Sequence, residues 1–169
     1  MAVDTGGMVF PPCCRIAGQL ISNAEYAKQT LKLIFSERVM FSHVTIGTNR
    51  LVSATKFYKQ ISAPLGITLL ALKHNPERAL FTHGTGSGTA FCIYSPLNGE
   101  PATSGNGGMV AFEAQTRAQV DDFYAIAMAN GATDEGAPGL RPQYASDYYG
   151  AYIRDLDGNK ICCVCHHAC

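Results

Sequence analysis

The C-terminal end of the chain concentrates residue types that bind transition metals. Five of them fall within seven positions: Cys163, Cys165, His166, His167 and Cys169. Thiolates and imidazoles are donors that zinc accepts. On a strand, however, successive side chains point to opposite faces, so Cys163, Cys165 and His167 would point away from His166. Zinc sites with these short spacings also need a second pair of ligands elsewhere in the chain. We therefore interpret this segment as an incidental cluster.

Two other segments match ligand-binding motifs only in part. Asp155, Asp157 and Asn159 have the alternate spacing of a calcium loop, but Gly is fourth in this loop and His166 is twelfth. A calcium loop requires Gly at the sixth place and Glu at the twelfth. Residues 84–89 (GTGSGT) precede a predicted strand, whereas a phosphate-binding loop precedes a helix. We interpret both segments as turns.

The composition is that of one globular domain with a short extension. The chain has 169 residues, and 47% of them are hydrophobic, which is enough for a core. Its 13 Lys and Arg balance 13 Asp and Glu, so we expect neither nucleic acid nor a membrane as partner. The seven cysteines are odd in number and crowd toward the two ends, which predicts a reducing compartment and a cytoplasmic protein.

Residues 1–39 differ in character from the rest of the chain. Ser22 and Glu25 have the spacing of a capping box, and apolar residues follow at helical intervals. We expect an N-terminal extension with one helix over residues 22–37. A cleaved transit peptide is the alternative, but acidic residues offset the basic ones and no cleavage signal follows a long apolar region. The pattern favours the helical extension.

A strand followed by a helix is predicted twice. Residues 41–48 (FSHVTIGT) and 108–114 (GMVAFEA) alternate in polarity, as strands do, and an apolar repeat of helical period follows each. His43 and Met109 are 66 positions apart, and so are Phe57 and Phe123. The repeated interval indicates an internal duplication.

Short strands are predicted after each helix. In the first half they span residues 67–73, 78–83 and 90–95, with turn residues between them. In the second half, residues 133–144 are rich in turn residues and predict at most one weak strand. Strands are predicted over residues 149–154 and 160–165, which flank Asp157-Gly158-Asn159, a hairpin turn signal.

These motifs together resemble the glyoxalase, bleomycin-resistance and extradiol-dioxygenase (vicinal oxygen chelate) superfamily. The resemblance depends on the first-strand His43, on the Phe57-Tyr58 pair of the helix, on Leu65-Gly66, and above all on YYGAYIRDLDGNKI at residues 148–161. Leu156 stands where that family usually has Pro. The resemblance covers residues 40 to about 166 and implies an α+β fold of two βαβββ modules, over residues 40–97 and 107–166, that form a cup-shaped mixed sheet in a domain of residues 40–169.

The resemblance also indicates where a metal would bind. Metal-dependent members take ligands from the first and fourth strands of each module, and the matching positions here are His43, Cys92, Met109 and Cys162. Only His43 agrees with the His or Gln, Glu, His and Glu of glyoxalase I-like enzymes. A thioether and thiols are poor ligands for the hard octahedral ions of that family.

These residues support two hypotheses. The first is a metal-free protein that binds a small molecule in a mostly apolar pocket, without a cofactor. The second is an enzyme acting on an α-carbonyl or thiol-conjugated substrate, as a lactoylglutathione lyase does. His43, Cys92 and Cys162 would then form a zinc site with one open position. Without a metal, His43 would act as a general base, or one of the two thiols as a nucleophile; inert buried thiols are the alternative.

Five residues near the predicted rim are candidate ligand contacts: Arg141, Tyr144, Tyr148, Tyr149 and Arg154. A guanidinium matches carboxylate and phosphate groups, and tyrosines can form an aromatic wall. Solvated arginines and strand-edge packing of the tyrosines are the alternatives. The resemblance further implies a homodimer, because modules of this superfamily pair within or between chains.

Overall fold

The computed structural model describes residues 15–16, 19–20, 40–84 and 88–168. The chain divides into two compact units, Met1–Met40 and Phe41–Cys169. In the first unit, the two-residue strands Arg15–Ile16 and Gln19–Leu20 pair antiparallel. The helix predicted over residues 22–37 lies outside the described residues.

The first half of the second unit is a βαβββ module. It consists of strand β1 (His43–Gly47), helix α1 (Leu51–Ile61), a 3₁₀ turn (Ala63–Leu65), and strands β2 (Ile67–His74), β3 (Glu77–His83) and β4 (Ala90–Tyr94). The strand order in the sheet is β1-β4-β3-β2. β1 and β4 are parallel, and the other pairs are antiparallel.

The second half repeats this arrangement. Its elements are β5 (Val110–Glu113), α2 (Arg117–Ala129), β6 (Thr133–Leu140), β7 (Tyr149–Arg154) and β8 (Lys160–Cys165). The strand order is β5-β8-β7-β6, again with the first and last strands of the module parallel. Thr116 begins α2 with a capping box that includes Gln119, which satisfies backbone donors at the helix start. The predicted α+β fold of two βαβββ modules is confirmed.

The register of the strands supports the internal duplication. Thr45 lies opposite Cys92 in the first sheet, and Ala111 lies opposite Cys162 in the second. Thr45 and Ala111 are 66 positions apart. The interval found in the sequence therefore relates equivalent positions of the two modules.

Strand β6 is longer than the sequence predicted. It spans eight residues despite Gly136, Pro138 and Gly139. β6 is the edge strand of its sheet, and its pairing with β7 is interrupted by two register shifts. An edge strand with such irregularities tolerates Pro and Gly, because not every backbone group must pair.

The hydrophobic core lies between the helices and one face of each sheet. Tyr58 of α1 packs against Phe81 and Phe91 of the first sheet, while Phe123 of α2 packs against Phe112 of the second. Since side chains alternate along a strand, the residues between these core positions point away from the helices. We call that second surface of each sheet its helix-free face.

The turn between β7 and β8 connects the two modules through hydrogen bonds. Asn159 donates from Nδ2 to the carbonyl of Gly47 at 3.0 Å. The Thr48 hydroxyl donates to the Asp157 carboxylate at 2.5 Å. Both partners in the first module belong to the end of β1 or the residue after it. The DLDGN segment is thus a tertiary contact as well as a hairpin turn. Among the described residues, no helix is long and apolar enough to cross a membrane.

Candidate functional site

Cys92 lies at the centre of the helix-free face of the first sheet. It is opposite Thr45 on one side and Leu80 on the other, and only 4% of its surface is exposed. Burial raises the pKa of the Cys92 thiol, and this effect outweighs the charge of Arg78 and the interaction with Thr45, which lower it. A thiol in this state is a poor nucleophile at neutral pH.

Cys162 has the equivalent place in the second sheet. It lies between Ala111 and Tyr152 in the register and is completely buried. The hydroxyl of Tyr148 is 3.7 Å from its sulfur, and Tyr152 donates to the Tyr148 hydroxyl at 3.3 Å. Burial raises the pKa of the Cys162 thiol, although the two nearby tyrosine hydroxyls oppose the shift. Tyr148 therefore covers a neutral thiol.

The other two positions taken from the family pattern are exposed. His43 begins β1, and its Nδ1 is 2.9 Å from the Ser42 hydroxyl. Met109 precedes β5 and is 46% exposed. Neither side chain is buried against Cys92 or Cys162.

The zinc arrangement of His43, Cys92 and Cys162 is not assembled by one chain. Among the residues that the structure describes, no three His, Cys, Asp or Glu side chains are placed to hold a metal ion. Cys92 interacts with Thr45 and Arg78 of its own sheet, whereas Cys162 is enclosed by tyrosines of the other sheet. The donor set also does not fit hard octahedral ions, because it contains the thioether of Met109 and the thiols of Cys92 and Cys162.

Arg141 lies on the helix-free face of the second sheet. Its Nη2 donates to the carbonyl of Ala137 at 2.7 Å and its Nη1 to that of Leu140 at 3.2 Å. The guanidinium carbon is 5.6 Å from the centre of the Tyr152 ring. Arg141 is therefore held against the sheet by backbone carbonyls and an aromatic ring.

Gly139 makes room for this guanidinium. A Cβ atom added there would lie 2.8 Å from Nη1 of Arg141, whereas one added at Gly136 would be in ordinary contact with Nη2 at 3.5 Å. Gly150 does the same for Tyr148, since a Cβ there would lie 2.9 Å from the ring. These glycines and Tyr152 were not predicted from the sequence. Glycines within a strand, a known signal of close approach, were the available indication.

The remaining candidate residues divide into two groups. Tyr144 is 65% exposed and packs against Tyr148, with ring centres 5.1 Å apart. Tyr149 instead points toward the helix and donates to Asp121 at 2.8 Å. Arg154 forms an ion pair with Glu135 at 2.7 Å and also donates to the Gly158 carbonyl. Arg141, Tyr144 and Tyr148 are thus brought together, while Tyr149 and Arg154 are engaged elsewhere.

Cys163 and Cys165 belong to the core, on the opposite face from Cys162. Burial raises the pKa of Cys163 to about 12, and the neighbouring thiols contribute to the shift. His166 and His167 follow β8 and are exposed. The His166 ring packs edge-on against Tyr148, with centres 5.2 Å apart. This separation of the C-terminal donors agrees with the alternation expected from the sequence.

Comparison with known proteins places the domain in a family. The model of the Glyoxalase/Bleomycin resistance protein/Dioxygenase superfamily matches residues 40–163. A glyoxalase/bleomycin resistance protein from Albidiferax ferrireducens is 43% identical, with a TM-score of 0.65, over 75% of this chain and 98% of that one. A family enzyme from Burkholderia phytofirmans is 23% identical, with a TM-score of 0.57, over 75% of this chain and 98% of that one.

A lactoylglutathione lyase from Agrobacterium tumefaciens has the same fold. It is 21% identical, with a TM-score of 0.53, over 77% of this chain and 95% of that one. No curated protein matches the chain. With its repeated βαβββ modules and a family match over residues 40–163, the chain belongs to the glyoxalase/bleomycin resistance protein/dioxygenase superfamily.

Proposed function

We propose that the protein binds a small metabolite that carries a carboxylate, on the helix-free face of its second sheet. Arg141 is the anion partner, and Tyr144 and Tyr148 contact the body of the ligand. The protein acts as a binding protein of its superfamily and does not use the metal-dependent lyase chemistry of glyoxalase I, because Cys92, Met109 and Cys162 replace the hard ligands that this chemistry needs.

The observation that supports the proposal is the state of Arg141. No carboxylate of the described residues forms an ion pair with it. Its guanidinium is nevertheless held in place by the carbonyls of Ala137 and Leu140. These bonds use two of the five N–H donors of an arginine and leave the others for a ligand. A preorganised cation loses little conformational entropy when an anion binds.

The surroundings of Arg141 suit a ligand with an apolar or planar part. Tyr148 lies between Tyr144 and His166, and all three rings are at least partly exposed. Aromatic rings provide a large contact area, and they pair with other rings in offset-stacked or edge-to-face arrangements. Cys162 beneath them is protonated and behaves as a small apolar residue. A small organic acid with an aromatic or unsaturated body fits this combination.

The test compares binding of acids with that of their uncharged counterparts. Calorimetry and thermal denaturation are measured with a panel of small carboxylates and the matching primary amides. Acids that bind should raise the melting temperature, because they stabilise the folded state. Arg141→Gln should weaken their binding by about tenfold or more, since a charge-assisted hydrogen bond contributes about 1.5–3 kcal/mol.

A control keeps the change in net charge constant. Lys56→Gln removes one positive charge from an exposed position of α1, and we expect it to leave the affinity unchanged. Equal binding of acids and amides, or equal affinities of the Arg141 variant and the wild type, would contradict the proposal. Turnover of a hemithioacetal after addition of Ni²⁺, Zn²⁺ or Mg²⁺ would favour the lyase function instead.

A further inference from the structure

We propose that the first module carries a second anion subsite, formed by Arg78 and Lys73 on the helix-free face of its sheet. It takes a small oxyanion, such as a carboxylate or phosphate group. The proposal takes the general ligand class from the Arg141 site but depends on different residues in a different sheet.

Two like charges face each other across strands β2 and β3. Arg78 of β3 and Lys73 of β2 lie directly opposite one another in the antiparallel register. Side chains of such a pair point to the same face and are close together. Like charges in this position are destabilising. In the part of the chain that the structure describes, neither residue forms an ion pair with a carboxylate. A bound anion would remove this repulsion.

An aromatic ring of the same sheet supports the Arg78 side chain. Its guanidinium carbon is 5.4 Å from the centre of the Tyr94 ring, and Tyr94 is its partner on the other neighbouring strand. The charge of Arg78 also acts on the Cys92 thiol. Arg78 therefore lies against the sheet, beside the thiol and on an aromatic ring. Arg141 has the same kind of surroundings, with Tyr152 and Cys162.

The internal duplication relates Arg78 and Lys73 to a pair of positions in the second module. Arg78 lies two residues before Leu80, which is opposite Cys92. Gly150 lies two residues before Tyr152, which is opposite Cys162. Gly150 and its partner Gly139 are thus the counterparts of Arg78 and Lys73.

The second module nevertheless has a cation at the position of its Gly139–Gly150 pair. A Cβ at Gly139 would lie 2.8 Å from Nη1 of Arg141, so the guanidinium occupies the space where a side chain of that pair would be. The first module provides its cation directly from a strand. The second provides it from Arg141, the residue that follows β6, whose side chain reaches back over Gly139. Equivalent levels of both sheets therefore present a guanidinium beside a tyrosine and a thiol.

The experiment is an NMR titration of the full-length protein, in which the Nε–Hε signals of the arginines are followed. Benzoate and inorganic phosphate are the probes, in separate titrations that distinguish the two sources of oxyanion. The Arg78 and Arg141 signals are assigned by their loss in Arg78→Gln and Arg141→Gln. Lys56→Gln is again the charge control.

We expect the Arg78 signal to shift with saturation for at least one probe. Lys73→Gln should weaken that titration by threefold or more while Arg78 and the fold are intact, and Arg141→Gln should leave it unchanged within twofold. An Arg78 signal that does not move, or that moves linearly without saturation, overturns the inference. If Arg141 alone titrates, this inference fails and the proposed function stands. If Arg78 alone titrates, this inference stands and the proposed function fails.

Discussion

The Tyr58 hydroxyl donates a hydrogen bond to the Asp155 carboxylate at 2.7 Å, and so joins the helix of the first module to the turn of the second. Both residues are buried, with 1% and 6% of their surfaces exposed. Asp155 also accepts from the backbone of Asp157 and from Asn159. Burial and the charge of Asp155 raise the pKa of Tyr58 well above its usual range, so the phenol stays protonated and remains a donor.

The loss of this hydroxyl should therefore destabilise the fold. Tyr58→Phe keeps the ring but removes one donor from a buried carboxylate, which is expected to cost about 1–3 kcal/mol. Urea denaturation followed by circular dichroism measures the free energy of unfolding. Tyr144→Phe is the matched control, because that side chain is 65% exposed and should change stability by less than about 0.5 kcal/mol. Equal stabilities of the two variants would show that the bond between the modules contributes little.

The Gly139 position should control ligand binding through Arg141. Gly139→Ala places a Cβ 2.8 Å from Nη1 of Arg141, so the guanidinium must move away from the position in which it is held. We expect carboxylate affinity to fall by roughly three- to tenfold, with less than about 1 kcal/mol change in stability, because a Gly→Ala change without positive φ also restricts the unfolded chain.

Gly105→Ala is the control for that measurement. A Cβ added at Gly105 meets no atom within 4 Å, so both affinity and stability should be close to those of the wild type. Calorimetry with the acid that binds best gives the comparison. If Gly139→Ala binds as tightly as Gly105→Ala, the ligand does not contact the guanidinium in its present position.

Elements with a complete local pattern could be predicted from the sequence. The hairpin turn signal at Asp157-Gly158-Asn159 predicted a strand on each side, and β7 and β8 have the predicted bounds, residues 149–154 and 160–165. The helix predicted after the first strand is α1. β6 was underestimated because its Gly and Pro residues are typical of turns. Its formation depends on pairing with β7, which is a non-local contact that no local pattern contains.

The candidate site could likewise be predicted from the sequence only in part. Cys92 and Cys162 were identified from the resemblance to the family, and the strand register of the structure places them at equivalent central positions of the two sheets. Whether two sheets bring their side chains together depends on how the modules pack, and this is not a property of either strand. Arg141 could be identified by its residue type, but its support depends on Tyr152 and Gly139, which are brought to it by the fold.

Tyr148 should protect Cys162 from chemical modification. Gly150→Ala places a Cβ 2.9 Å from the Tyr148 ring and 3.4 Å from the Cys163 carbonyl, so the flexible ring is the group that moves. Alkylation by iodoacetamide, resolved by peptide mass spectrometry, should then be several-fold faster at Cys162 than in the wild type, because a buried thiol reacts only when exposed. Tyr148→Phe keeps the cover and should react slowly. Unchanged alkylation in Gly150→Ala, with the variant folded, would mean that other groups shield the thiol.

Alkaline pH should destabilise the protein through Cys163. Its pKa rises from 9.0 to about 12 in the folded protein because it is buried. Between these values the unfolded chain loses the proton while the folded chain keeps it. The contribution of this group to the free energy of unfolding is therefore fully present below pH 9 and is lost as pH rises toward 12. From pH 9 to 10.5 the free energy of unfolding should fall by about 2 kcal/mol through this group, at about 1.4 kcal/mol for each pH unit. Urea denaturation at pH 7, 9 and 10.5 should therefore show a shallower decline for Cys163→Ala than for the wild type. Other groups with raised pKa values, such as Cys162, are common to both proteins, so parallel declines would show that the Cys163 thiol does not stay protonated in the fold.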